Sequence, residues 1–186
     1  MPTALTAERL RGIAAGAFLL TAFGGFWVFV ALAEWKDRPA GCLALATAVA
    51  GGLGGLSVRR FVLAARAPSP DDREAARKGR RMGIVFAAIF SSEGGLIGLG
   101  AFLLARQGLP LWIPAMTALV VGLHFLPLAA VFDVPLYYWT GVAMCLCTVG
   151  SVFLVGPSTR LLVLGLSVGA VLWLTAARVL YQTRGC

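Results

Sequence analysis

A chain of 186 residues that is 59% hydrophobic and only 13% charged carries more apolar surface than a soluble domain of that size can bury, with about half the usual charge. Its net charge of +8 does not mark nucleic-acid binding. Half of the basic residues fall between Arg59 and Arg81 and the rest flank apolar runs, without the aromatic-basic pattern of a nucleic-acid surface.

Six apolar segments follow one another, each long enough to cross about 30 Å of hydrocarbon as a helix. They run over residues 12–33, 40–56, 82–104, 110–131, 136–154 and 160–181. The first follows Arg9 and Arg11 but is too long for a signal peptide, so it reads as an uncleaved span. The second is the shortest, and Arg59 and Arg60 can snorkel to close its end.

The segment 64–81 reads as a cytoplasmic basic loop with a short helix: Ser69 is a capping candidate, Pro70 a first helical residue, and Asp71 and Asp72 first-turn acids. Glu74 and Lys78 stand at helical spacing. Asp133 and Pro135 sit where they can start the fifth span, with Tyr137, Tyr138 and Trp139 as an interfacial aromatic anchor. Cys145 and Cys147 are two residues apart and point to different helix faces, Cys42 lies in another span, and Cys186 ends the chain. They read as packing residues, with neither a disulfide framework nor a metal site.

Counting Lys and Arg by side sets the orientation. With the N-terminus inside, Arg9, Arg11, the residues from Arg59 to Arg81, Arg178 and Arg184 are cytoplasmic. Only Lys36, Arg38, Arg106 and Arg160 are then outside. The expectation is an all-α polytopic bundle of six transmembrane helices, N-in and C-in, forming a single transmembrane domain over 1–186 in the inner (plasma) membrane.

Shifting the chain by seventy positions superposes 11–56 on 81–126. Arg11 meets Arg81, Gly24-Gly25 meets Gly94-Gly95, Thr47-Ala48 meets Thr117-Ala118, and Gly52-Leu53 meets Gly122-Leu123. Helices 1–2 and 3–4 then read as two copies of one hairpin in the same orientation, a design some transporters use with a site at the repeat interface. Runs such as Gly51-Gly52-Leu53-Gly54-Gly55, Gly94 with Gly98, and Gly165 with Gly169 suit close helix packing, and faces of this kind allow a homo-oligomer.

Ionisable side chains inside a span are costly and mark sites or buried pairs. Glu93 lies within Ser91-Ser92-Glu93-Gly94-Gly95 near the middle of span 3. His124, the single histidine, lies toward the inner end of span 4. On ideal geometry they stand about 16 Å and about 10 Å above the inner boundary, so the two side chains meet if their faces align. Such a pair suits a proton relay or a cation site. The offset places Phe23 opposite Glu93 and Gly54 opposite His124, so one hairpin copy alone is polar there. The competing reading makes Glu93 a protonated, internally bonded group and His124 a donor to a carbonyl freed by Pro127. Asp133 is a second candidate partner for His124, and Ser91 and Ser92 complete the candidate site.

The stretches Gly122-Leu123-His124-Phe125-Leu126-Pro127-Leu128-Ala129 and Val134-Pro135-Leu136-Tyr137-Tyr138-Trp139-Thr140-Gly141 resemble those of small uncharacterised bacterial multi-pass membrane proteins. The resemblance brings no activity with it, and points to the His124 region as the characteristic part.

Three functions fit. One is a small transporter or channel-like protein for a small molecule or ion, using Glu93 and His124. Another is an intramembrane enzyme on a lipid or isoprenoid-like substrate, with Glu93 or Asp133 as acid and His124 as base. The third is a structural or partner-binding membrane protein. A single histidine excludes bis-histidine haem ligation and a multi-histidine metal centre. No nucleotide motif or nucleophile elbow is present, so the sequence leans away from an enzyme and implies no cofactor. Its expected surroundings are the lipid bilayer, with no nucleic-acid partner.

Overall fold

In a computed structural model, residues 7–66 and 73–182 are described, and they are helical apart from four short connections. The helices are α1 (Ala7–Glu34), α2 (Ala40–Arg66), α3 (Arg73–Arg106), α4 (Ile113–Phe132), α5 (Leu136–Leu154) and α6 (Pro157–Gln182), with one 3₁₀ turn, Pro110–Trp112, before α4. All six are long and apolar enough to cross a membrane. The protein is an all-α, multi-pass membrane helix bundle, and its many outward-facing Leu, Phe and Val side chains contact lipid rather than water.

Two helices run further than the hydropathy pattern predicts. The second continues from Ala40 through Arg59 and Arg60 to Arg66. Basic residues end the hydrocarbon-compatible stretch without ending the helix, because arginine is a good helix former. The short helix expected before span 3 is instead the start of α3 itself, unbroken from Arg73. The proposed cap at Ser69 to Asp72 lies outside the described residues.

The connections explain where helices stop. After α3, Gly108 takes φ +73°, and the Leu109 N–H donates to the Leu104 carbonyl at 2.9 Å, a left-handed helix stop that favours glycine. After α4 the same device recurs on Asp133, at φ 53°, with the Val134 N–H donating to the Ala129 carbonyl at 3.1 Å. Asp133 therefore ends α4, whereas the sequence suggests it as the cap of α5. Pro135 occupies that cap position, with no side-chain cap bond. A short polar side chain tolerates the left-handed region better than most. Gly108→Ala is expected to cost about 1 kcal/mol, read as a lower SDS mole fraction at the unfolding midpoint.

Contacts divide the chain into two units, and the division falls inside α6. The first unit holds α1, α2 and α6 from Gly169 onward. Here α1 buries Ala14, Ala17, Thr21, Val28 and Ala31, a helical stripe of mostly small residues. Small residues let backbones approach. A Cβ on Gly24 would stand 2.6 Å from Trp173 Cδ1 and 3.1 Å from the Gly169 carbonyl, and one on Gly169 would meet that of Gly24 at 2.9 Å. Trp173 Nε1 donates to the Thr21 carbonyl at 3.0 Å across this crossing. At the arginine-rich end, Arg11 donates from Nε to the Ala64 carbonyl at 3.0 Å and from Nη2 to the Ala65 carbonyl at 3.3 Å. Both carbonyls lie in the last turn of α2 as described, where intrahelical partners run out.

The second unit holds α3, α4, α5 and α6 up to Val168. Helix α5 buries Tyr137, Thr140, Gly141, Met144, Thr148 and Ser151 along one face. Its buried threonine hydroxyls bond back within the helix: Thr140 donates to the Leu136 carbonyl at 3.0 Å and Thr148 to the Met144 carbonyl at 2.8 Å. This back-bonding lets polar residues sit at membrane depth. A Cβ on Gly141 would lie 2.6 Å from the Gly122 carbonyl, so α5 crosses α4 within two residues of His124.

Candidate functional site: an acid–base pair between α3 and α4

Three layers join α3 to α4. Toward the arginine-rich end, the Phe86 and Phe132 rings meet edge to face with centroids 6.0 Å apart, and Phe86 also stacks on Phe90 at 5.9 Å. Toward the opposite end, Met116 lies over Gly100, where a Cβ would be 2.9 Å from its sulfur. Between them His124 Nε2 stands 3.3 Å from Glu93 Oε2. On α3 the three positions recur every seventh residue and so keep to one face, whereas on α4 they recur every eighth, so the contacting face turns by about 80° from one layer to the next.

The two side chains are 9% and 10% exposed. Glu93 lies close to the midpoint of the 28-residue span Gly79–Arg106, the costliest depth for an isolated charge. Proximity removes much of that cost. The pair is neutral overall either as carboxylate with imidazolium or as carboxylic acid with imidazole, and the tautomers differ by one proton shifted between Oε2 and Nε2. The ring environment is aromatic on one side. Phe125 stands edge-on to His124, with centroids 6.4 Å apart, and to Tyr137 at 5.6 Å.

The other sequence candidates fall elsewhere. Asp133 is exposed at the turn after α4, nine residues beyond His124, and forms no ion pair with it among the described residues. Ser91 and Ser92 are exposed on α3, and Ser92 Oγ donates to the Ile89 carbonyl at 2.7 Å. Tyr137 is 8% exposed and packs on Phe125, so only Tyr138 and Trp139, at 45% and 73%, fit an interfacial anchor. Tyr137 leaves that set because it starts the buried face of α5. Cys42, Cys145 and Cys147 carry free thiols, and no cluster of three or more His, Cys, Asp or Glu able to hold a metal occurs among the described residues.

Two features of the structure have no clear sequence signal. The Gly100–Met116 layer is written in residues common to any apolar span. A second feature, in the first unit, is an open groove of about 250 Å³ between α1 and α2, lined by Phe18, Thr21, Phe26, Phe29, Ala50 and Gly54 among others. Seventy residues on, the positions of Thr21, Ala50 and Gly54 are Ser91, Val120 and His124.

Fold and geometry together define a multi-pass membrane protein with a buried carboxylate–imidazole pair near mid-span. Searches against protein-family models, curated proteins and solved structures return no match.

Proposed function

We propose that the protein is a small proton-coupled transporter of the bacterial inner membrane, with Glu93 and His124 as its coupling element. The observation that supports this reading is the 3.3 Å contact between the two side chains, both about nine-tenths buried near the middle of the membrane. Paired ionisable groups at that depth recur on proton and ion pathways. Imidazole is the side chain whose ordinary proton exchange lies nearest neutral pH.

The chemistry balances. When the imidazolium gives up its proton, the carboxylate is left without a counter-charge, and one monovalent cation restores neutrality at the same place. Proton and cation then occupy the pair in turn, and exchange carries no net charge. The small polar inventory suits a small ion better than a large polar solute. The resemblance of the His124 region to small bacterial multi-pass proteins is what suggests the bacterial inner membrane.

The test uses purified protein in liposomes loaded with a pH-sensitive dye, with an imposed proton gradient and added Na⁺ or K⁺. Wild-type protein is expected to dissipate the gradient on cation addition, and Glu93→Gln and His124→Gln to reduce that flux at least about tenfold, in line with losing an essential proton carrier. Wild-type flux no greater than that of empty liposomes rules the proposal out. So does undiminished flux in both variants, and the pair is then a packing element.

A further inference from the structure

The seam between α3 and α4 is closed on both sides of the Glu93–His124 pair. His124 stands eight residues from Met116 and from Phe132, and Glu93 seven from Phe86 and from Gly100, so each closure lies about 10–12 Å from the pair along the helices. Met116 and Phe132 reach α3 from opposite flanks of α4, each turned about 80° from His124. Both closures, like the pair, belong to the second unit.

The two closures differ in what holds them shut. At the arginine-rich end the Phe132 ring meets Phe86, which stacks on Phe90, so opening there displaces rings that brace one another. At the opposite end a single side chain closes the seam. The three atoms nearest a Cβ built on Gly100 are Met116 Cε, Sδ and Cγ, at 2.9, 2.9 and 3.7 Å. Met116 is half-buried, unbranched and able to change rotamer at little cost. Turning it away leaves a hollow floored by glycine, and no backbone has to move. An apolar side chain at such a constriction gates by excluding water. Counting from Arg106 and Pro110, the ends of the two spans, this one lies about 9 Å inside the membrane boundary.

We propose that Met116 is the gate through which the pair exchanges protons and a small monovalent cation with the face opposite the arginine-rich end, and that Gly100 is the hollow it closes. What passes the gate rests on the transport reading, whereas access of water to Glu93 can be measured without it.

Protein in nanodiscs, open to water on both faces, is treated with a water-soluble carbodiimide and glycine ethyl ester, and the fraction of Glu93 converted to the amide is read by peptide mass spectrometry. Exposed Asp133 serves as the internal standard. Met116→Ala is expected to raise Glu93 labelling severalfold, and Met116→Leu, which keeps the bulk, to hold it near the wild-type level. Adding Gly100→Leu to Met116→Ala fills the same space from α3 and should bring labelling back down. Phe132→Ala should raise it less, because Phe86 and Phe90 remain stacked. Unchanged labelling in Met116→Ala overturns the proposal, and so does an equal rise in Met116→Leu. A larger rise in Phe132→Ala than in Met116→Ala also overturns it, and assigns the route to the arginine-rich end. In the liposome assay Met116→Ala should speed the cation-driven collapse of the proton gradient. Raised labelling without flux from any variant keeps the route and removes the transport reading, while flux with unchanged labelling removes the gate alone.

Discussion

Glu93→Leu and His124→Leu each lower the stability of the second unit by about 3 kcal/mol, while the double substitution costs under about 1 kcal/mol. Removing one member strands the other at membrane depth, 3.3 Å from where its partner was. Removing both leaves an apolar layer between the Phe86–Phe132 and Gly100–Met116 layers. SDS-titration unfolding of wild type, both single variants and the double variant yields the coupling energy directly. Strict additivity would show that the contact contributes nothing to folding. The double variant also separates stability from function: on the transport reading it is folded and carries no proton flux.

Gly169→Leu is the second large effect. Its side chain would enter the α1–α6 crossing, where even a Cβ stands 2.4 Å from Val28 Cγ2 and 2.9 Å from the Gly24 carbonyl. The carbonyl belongs to a helix backbone and cannot give way, so the helices must separate, at a cost of about 3 kcal/mol. Separation also stretches the 3.0 Å bond from Trp173 Nε1 to the Thr21 carbonyl, so tryptophan emission should shift as the midpoint falls. Gly98→Leu is the control. A Cβ there meets nothing within 4 Å, and the midpoint should move by less than about 0.5 kcal/mol. Similar losses from both variants would rule out the crossing as the cause.

The contrast between these glycines shows where sequence reading stops. Gly24, Gly169, Gly122 and Gly141 make close approaches, whereas Gly94, Gly95, Gly51 and Gly52 have nothing within 4 Å of a built Cβ. All sit within apolar spans, and only the path of a distant helix tells them apart. Long-range pairing sets that path. The six spans were legible because hydrocarbon thickness imposes a length and a composition on each. Glu93 and His124 were legible because ionisable groups inside a span are rare, and their depths on antiparallel helices follow from residue counting. The full length of α2 was not, since hydropathy reports where lipid ends and not where backbone hydrogen bonding ends. Asp133 reads from sequence as the start of α5 but ends α4, because a left-handed residue and a capping residue draw on the same short polar side chains. The α1–α2 groove arises from side chains that glycine lacks, and such a gap leaves no pattern in the chain.

The three-layer seam between α3 and α4 also bears on biogenesis. Glu93 and His124 are compatible with hydrocarbon together and costly apart. A translocon that released α3 into the bilayer alone would expose a lone carboxyl near mid-membrane until the next span was made. The turn at Gln107-Gly108-Leu109 is short and closed by its own backbone bonds, which holds the start of α4 close to the end of α3. Insertion of α3 and α4 together as one hairpin is the route that never leaves either group alone in hydrocarbon.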